Sequence, residues 1–176
     1  MSSPAAQISV LAGKRFACVK IQGRANFTSS IDFNSLVTQL HDRGFTYFVI
    51  ELSECTLMDS TFLGVLAGFG LKTTQSHAAL DTHHVELRNA NSRISELLEN
   101  VGVLHLFKTS EGEMASPETL EACAHQPVES SRVDLTRACL EAHELLMALH
   151  PENVARFKDV TKFLAEDLAR LQGEKS

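Results

Sequence analysis

The chain has 176 residues, of which 44% are hydrophobic and 22% are charged, and this fits one soluble domain plus an appendage or two very small domains. Its formal net charge is −6 and it has no basic run, which argues against nucleic-acid binding because phosphate contacts need clustered Lys and Arg. No apolar stretch is long enough to cross a bilayer, and the short polar N-terminus lacks the pattern of a signal peptide, so we expect no membrane contact.

Two apolar, β-prone runs open the chain at residues 8–11 and 16–21, and Gly13 between them predicts a β-hairpin. A loop is expected over residues 23–30, followed by a helix over residues 30–41. Three side chains of the loop have oxygens that can cap this helix: Asn26, Thr28 and Ser29.

Residues 47–52 form an almost continuously apolar run, which is typical of a strand covered on both faces. A turn at residues 53–55 follows, and residues 58–61 lead into a helix that continues to about Ser76. Glycine costs a helix about 1 kcal/mol relative to alanine, so several glycines in one helix indicate close packing against a sheet or a partner. This helix has three of them, at Gly64, Gly68 and Gly70.

The next part of the chain alternates again between short strands and helices. A strand is predicted at residues 85–87, a helix from residues 91–92 to Gly102, and a brief strand at residues 106–107. Ser-Pro-Glu at residues 116–118 predicts a further helix that ends near residue 124. Strands that alternate with helices indicate an α/β fold with a mainly parallel sheet, which the opening hairpin makes mixed.

The C-terminal part is purely helical in pattern. We expect one domain over residues 6–125, a polar linker over residues 126–132, and a helical hairpin over residues 133–173 that turns at Pro151. The apolar stripes of the hairpin could pack on the domain, form a homodimer or hold a partner. Self-association or partner binding is favoured, because a small α/β domain does not need the extra cover.

The segment YFVIELSECTLMDSTFLGVLAG, residues 47–68, resembles the STAS domain of bacterial anti-sigma factor antagonists. In that family a buried strand ends in a loop with Asp-Ser-Ser or Asp-Ser-Thr, followed by Gly-Leu-Gly and a helix. Residues 58–61 (Met-Asp-Ser-Thr) and 63–66 (Leu-Gly-Val-Leu) hold these places here. The order of predicted elements agrees from about residue 6 to residue 125. The resemblance implies an α/β STAS fold, a mixed β-sheet with helices packed on it, to which the helical hairpin is added.

The resemblance also implies a function in signal transduction and transcription regulation. In the family, a partner serine kinase that is itself the anti-sigma factor phosphorylates the first hydroxyl after the Asp; the unphosphorylated form binds this kinase and frees a sigma factor. That hydroxyl corresponds to Ser60, with Thr61 as the second candidate, and a phosphatase is the other implied partner. The expected partner-binding residues are Asp59, Ser60, Thr61, Phe62, Gly64, Asn26 and Thr28.

Two other interpretations of the same residues stay open. Asp59 and Ser60 are also common N-cap residues, and Phe62 stands where the family has glycine, so a bulky ring could reshape or cover the loop. The chain would then be a non-phosphorylated STAS scaffold that assembles through its C-terminal helices. A small-molecule sensor is the third possibility, although no residue pattern favours it.

Enzymatic chemistry has no visible basis in the chain. No catalytic triad pattern, HExxH motif or Gly-rich phosphate loop is present, so we predict no catalytic residue and no cofactor. His83 and His84 are adjacent in a predicted strand and point to opposite faces, which disfavours a shared metal. The four cysteines form no CxxC pair and match no zinc spacing, which predicts buried free thiols in a reducing cytoplasm.

Overall fold

The structure is a computed structural model that describes residues 4–76, 83–115 and 119–174. Over these ranges the chain forms seven β-strands, five α-helices and one 3-10 turn at Leu104–Leu106. The strands are β1 (Gln7–Ala12), β2 (Phe16–Ala25), β3 (Tyr47–Glu51), β4 (Cys55–Met58), β5 (Val85–Arg88), β6 (Lys108–Ser110) and β7 (Glu121–Cys123). The α-helices are α1 (Phe27–Asp42), α2 (Ser60–Ser76), α3 (Ser92–Asn100), α4 (Arg132–Leu149) and α5 (Glu152–Gly173). No helix of the described ranges is long and apolar enough to span a membrane.

The strands form one mixed sheet in the order β6-β5-β3-β2-β1-β7, with β4 paired to the end of β2. Strand β1 is antiparallel to β2 and β7, whereas the other pairs are parallel. Strand β2 pairs twice: residues 16–20 lie beside β3, and residues 23–25 lie beside β4 after a shift in register. Because α1 follows β2 and α2 follows β4, this second pairing brings the starts of both helices together.

The main hydrophobic core joins the sheet to helices α1, α2 and α3. Its centre contains aromatic rings from both layers that contact one another, namely Phe33, Phe48, Phe62 and Phe69. A second, smaller cluster contains Phe16, Cys18 and Val49. All four cysteines are free, as predicted, but only Cys18 and Cys55 are buried, while Cys123 and Cys139 are half-buried. Burial raises the pKa of the Cys18 thiol to about 11.

The C-terminal helices form the predicted hairpin, and the hairpin packs on the domain of its own chain. Helix α4 contacts α1 and α2, and α5 packs against α4. Leu146 of α4 is fully buried. Asn153, at the start of α5, is also fully buried, and its Nδ2 donates to the carbonyl oxygens of Val101 (2.9 Å) and Leu146 (2.8 Å). The α4 stripe that sequence analysis favoured for self-association or a partner is thus covered by the domain itself.

Several sequence predictions are confirmed by the structure. The opening hairpin, the buried strand at residues 47–51, the helix that ends at Ser76 and the helix capped by Asn91 are all present. The first helix begins at Phe27, three residues earlier than predicted, because Asn26 rather than a later residue caps it. The mixed sheet with packed helices and the two C-terminal helices agree with the predicted fold class.

Three predictions were wrong. Sequence analysis predicts a turn at residues 53–55 and no strand before the helix, but residues 55–58 form strand β4, which pairs with β2. The strand expected at residues 106–107 begins at Lys108 instead. The helix expected from residues 116–118 to residue 124 starts outside the described residues, but its second half is strand β7, paired antiparallel with β1. Pairing to an open sheet edge outweighs a local helix preference there, since sequence propensity is a weak prior.

Candidate functional site

Ser60 is the first residue of α2, and the segment before it is anchored to the sheet. Strand β4 ends at Met58, and the next backbone N–H, that of Asp59, donates to the carbonyl oxygen of Ala25 at 2.9 Å. The carbonyl oxygen of Asp59 in turn accepts from the N–H of Leu63 at 3.0 Å, which is the first hydrogen bond of the helix. Ser60 therefore stands at a strand-to-helix junction that is held on both sides.

Both carboxylate oxygens of Asp59 accept backbone hydrogen bonds. Oδ1 accepts from the N–H of Phe62 at 2.8 Å, which makes Asp59 the N-cap of α2. Oδ2 accepts from the N–H of Phe27 at 2.7 Å, which is the first residue of α1. A carboxylate at a helix N-terminus is also favoured by the helix dipole. Asp59 thus joins the starts of two helices, and the N-cap interpretation of this residue is confirmed.

The loop before α1 lies next to this junction. Asn26 caps α1: its Oδ1 accepts from the N–H of Ser29 at 3.1 Å, and the Ser29 hydroxyl oxygen accepts from the N–H of Asn26 at 3.0 Å. Thr28 and Phe27 are exposed. Together with Asp59, these residues line an open groove at the N-terminal end of both helices. The structure therefore brings the predicted residues Asn26 and Thr28 close to Asp59.

The Ser60 hydroxyl has a partner from helix α4. The Oγ atom of Ser60 lies 2.7 Å from Nε2 of His143, which is 83 residues away in the chain and only 5% exposed. The other ring nitrogen, Nδ1, lies 2.6 Å from the carbonyl oxygen of Cys139. A carbonyl oxygen can only accept, so Nδ1 carries the proton. In the neutral ring Nε2 is then an acceptor, and the Ser60 hydroxyl donates to it.

Helix α4 packs against the first turns of α2 and leaves Ser60 half-buried. Thr61 is 5% exposed. Burial raises the pKa of the Cys139 thiol on α4, more than its hydrogen bond with Thr61 lowers it. One turn further along α2, a Cβ atom added to Gly64 would lie 2.5 Å from the carbonyl oxygen of Ala142. The absence of a side chain at Gly64 is therefore what allows the two helix backbones to approach so closely.

Phe62 does not cover the loop, which sequence analysis had left open. Its ring is fully buried and packs on Phe33, with ring centroids 5.1 Å apart. The residue that contacts the Ser60 hydroxyl is instead His143 of α4. Among the predicted partner-binding residues, Asn26, Thr28, Asp59 and Ser60 lie at the surface or partly exposed, whereas Thr61, Phe62 and Gly64 lie beneath other elements in this conformation.

Sequence analysis did not identify His143, Cys139 or Ala142 as part of the site. Among the described residues, no group of three or more His, Cys, Asp or Glu side chains could hold a metal ion. The only sequence signal for contact with α2 was the run of small residues in that helix, which indicated a close neighbour but not its identity.

A mixed α/β sheet whose strand β4 delivers an Asp-Ser-Thr motif to the start of a glycine-containing helix defines the STAS class of fold. The chain belongs to the STAS domain family, which matches residues 7–114. The match ends before α4 and α5, so the C-terminal hairpin lies beyond it. No curated protein sequence matches this chain.

The solved structures that are similar to this chain include anti-sigma factor antagonists. A proposed anti-sigma factor antagonist of Thermotoga maritima superimposes with a TM-score of 0.53 at 15% identity, covering 60% of this chain and 86% of that protein. Unphosphorylated SpoIIAA gives a TM-score of 0.47 at 12% identity, covering 62% of this chain and 90% of that one. Phosphorylated SpoIIAA, a Bacillus cell fate determinant, gives 0.46 at 12% identity, covering 60% and 90%.

Proposed function

We propose that this chain is a regulatory protein-binding module of the anti-sigma factor antagonist type, without enzymatic activity, in a bacterial cytoplasm. A partner serine kinase, itself an anti-sigma factor, phosphorylates Ser60, and a phosphatase reverses this. The observation that carries the proposal is the position of Ser60 as the first residue of α2 in a STAS domain, directly after the capping Asp59. Thr61 is the second hydroxyl, but its low exposure makes it the poorer acceptor.

The chemistry of this position suits a reversible charge switch. A phosphate group adds about −1.5 to −2 charges near neutral pH. The N-terminus of a helix favours such an anion, because its N–H groups and dipole point toward it. The neighbouring Asp59 carboxylate and the exposed loop at Asn26 and Thr28 lie on the same surface. A partner bound there would meet new repulsion and a desolvation cost after phosphorylation.

The Ser60–His143 pair has the geometry of a nucleophile and its base, so a hydrolytic role needs an argument. The imidazole is held by the carbonyl oxygen of Cys139 in its own helix and not by a carboxylate. Asp59, the nearest carboxylate in sequence, is used by the N–H groups of Phe27 and Phe62 and does not orient the imidazole. These contacts favour a structural hydrogen bond over a catalytic one.

The test is an intact-mass measurement of the protein isolated from cells that make it naturally, with and without phosphatase treatment. One phosphate that maps to Ser60, is removed by phosphatase and is lost in Ser60→Ala supports the proposal. Affinity for co-purified partners should also differ between the phosphorylated and unphosphorylated forms. A chain that carries no phosphate under any growth condition, or equal partner affinity of both forms, would contradict it.

A second candidate function, assembly as a STAS scaffold, is favoured by one observation. One face of α5 exposes two apolar side chains that are one turn apart, with Phe163 67% exposed and Val160 39% exposed. A homodimer through this face predicts that Phe163→Ser lowers the mass measured by light scattering to that of a monomer, while Lys162→Ser, the neighbouring exposed residue, does not. A monomeric wild-type chain at high concentration would contradict this function.

A further inference from the structure

We propose that helix α4 is an intramolecular cover of Ser60, so that docking of α4 and phosphorylation of Ser60 exclude each other. The proposal rests on the proposed function, since it assigns the regulation of the same hydroxyl. It concerns a part of the chain that lies beyond the STAS match at residues 7–114.

The His143 ring leaves no room for a phosphate on the side of the Ser60 hydroxyl that it contacts. The 2.7 Å between Ser60 Oγ and His143 Nε2 is a direct hydrogen bond. A phosphoryl group bonded to Oγ would place a phosphorus atom and three further oxygens around this atom. The imidazole ring occupies that side of the hydroxyl and is itself held by the Cys139 carbonyl oxygen at 2.6 Å. The ring also contacts Phe157 of α5, with ring centroids 5.1 Å apart, so it lies between α2 and α5.

Helix α4 cannot make room for a phosphate by a small displacement along α2. The backbone of α4 at Ala142 already touches α2 at Gly64, where even a single added Cβ would lie 2.5 Å from the carbonyl oxygen. Closely packed interfaces of this kind change between discrete arrangements rather than deforming continuously. Room for a phosphate on the Ser60 rotamer that faces His143 therefore requires α4 to move away from α2 as a unit.

The segment that connects β7 to α4 is long enough to permit such a movement. Residues 124–131, between β7 and α4, have no helix or strand structure. Eight residues of this kind can span about 25 Å when extended. In this segment the backbone N–H of Val128 donates to a carboxylate oxygen of Asp32 on α1. The linker can therefore keep the hairpin attached to the domain after α4 has left α2.

The two events are coupled in both directions. If phosphorylation of Ser60 weakens the docking of α4 by some factor, docking must lower the equilibrium constant for phosphoryl transfer to Ser60 by the same factor. A signal that releases the hairpin would thereby free the acceptor hydroxyl from His143 and add Thr61 and Gly64 to the exposed surface. A kinase that acts on the released form would in turn keep the hairpin from returning.

The test measures hydrogen–deuterium exchange of the α4 amides in the full chain. It compares the unmodified protein with two proteins in which phosphoserine is incorporated genetically, at position 60 or at position 92. Phosphoserine at position 60 should raise the exchange of the amides of α4 by about tenfold or more, within the usual range for coupled sites. Ser92 is the matched control, since it is the first residue of α3, follows the capping Asn91 and is exposed. Phosphoserine at position 92 should leave α4 unchanged.

A second variant reaches the open state without modification. Ala142→Leu places a large side chain against Gly64 and should raise α4 exchange by a similar factor, whereas Ala148→Leu, at an exposed position of the same helix, should not. Unchanged α4 exchange with phosphoserine at position 60 would overturn the inference and leave the proposed function standing. Absence of phosphate in cells would overturn the proposed function, while the exchange result would still report whether α4 covers the hydroxyl.

Discussion

Gly64 of α2 lies against the backbone of Ala142 in α4. Of the three glycines in α2, it is the one that approaches the C-terminal hairpin most closely. An added Cβ at Gly64 would lie 2.5 Å from the carbonyl oxygen and 2.7 Å from the Cβ atom of Ala142. Backbone atoms cannot rotate away as the end of a side chain can. The hairpin is thus fitted to a groove that glycine creates in α2.

This contact predicts opposite effects for two alanine substitutions in one helix. Gly64→Ala should destabilise the chain by about 1 to 3 kcal/mol, because overpacking against backbone outweighs the helix preference of alanine. Gly68→Ala should be neutral or stabilising by up to about 1 kcal/mol, because its Cβ would meet only the Leu145 Cδ2 atom, at 3.1 Å. Urea denaturation of both variants measures the difference. Equal free energies of unfolding would show that the contact does not limit the packing of α4.

A second prediction concerns the carboxylate that joins α1 to α2. Asp59→Ala removes the acceptor for the N–H groups of Phe27 and Phe62 and should cost about 2 kcal/mol, as loss of a helix cap typically does. Asp59→Asn retains one acceptor oxygen and should cost less. Denaturation midpoints of the three proteins give this order. A wild-type midpoint for Asp59→Ala would contradict the role assigned to this residue.

The buried amide of Asn153 gives a third prediction. Asn153→Ala leaves the carbonyl oxygen of Val101 without its side-chain donor and should cost about 2 kcal/mol, the usual range for a buried group that loses its partner. Hydrogen exchange in α5 should rise in this variant. Val154→Ala, the next residue and 46% exposed, is the control and should change stability by less than about 0.5 kcal/mol. A stable Asn153→Ala chain would mean that this link does not hold the hairpin.

The fourth prediction is a pH dependence that arises from Glu86, which is only 4% exposed. Burial by itself raises the pKa of this carboxyl. Hydrogen bonds from Ser110, from the Tyr47 hydroxyl (2.6 Å) and from Arg88 Nη2 (2.8 Å) together lower the pKa by more than burial raises it, so it lies below its ordinary value of 4.5. The folded state therefore binds the proton less readily than the unfolded state. The stability from this carboxylate is present above pH 4.5 and is lost as the pH falls through the folded-state pKa.

The measurement is the free energy of unfolding between pH 7 and pH 3. The wild-type curve should fall more steeply below about pH 4.5 than that of Glu86→Gln, so that the two approach each other at low pH. Glu111→Gln, on the exposed loop after β6, should follow the wild-type curve. Parallel curves for wild type and Glu86→Gln would contradict the depressed pKa.

Local patterns were sufficient where an element carries its own hydrophobic period or its own cap. The apolar run of β3 and the stripes of α4 and α5 are features of short segments, and all are present in the structure. Strand β7 was missed because residues 121–123 have no strand pattern of their own. They become a strand only because β1 presents an edge for them to pair with.

The amino-acid sequence was enough to establish the STAS fold, the hairpin and the place of Ser60 after a capping Asp59, since all of these follow from residues close together in the chain. It could not show that His143 lies 2.7 Å from Ser60, because 83 residues separate them and no spacing rule links them. Tertiary packing decided that contact: glycine in α2 admits the backbone of α4, and the buried stripe of α4 then brings the imidazole to the hydroxyl.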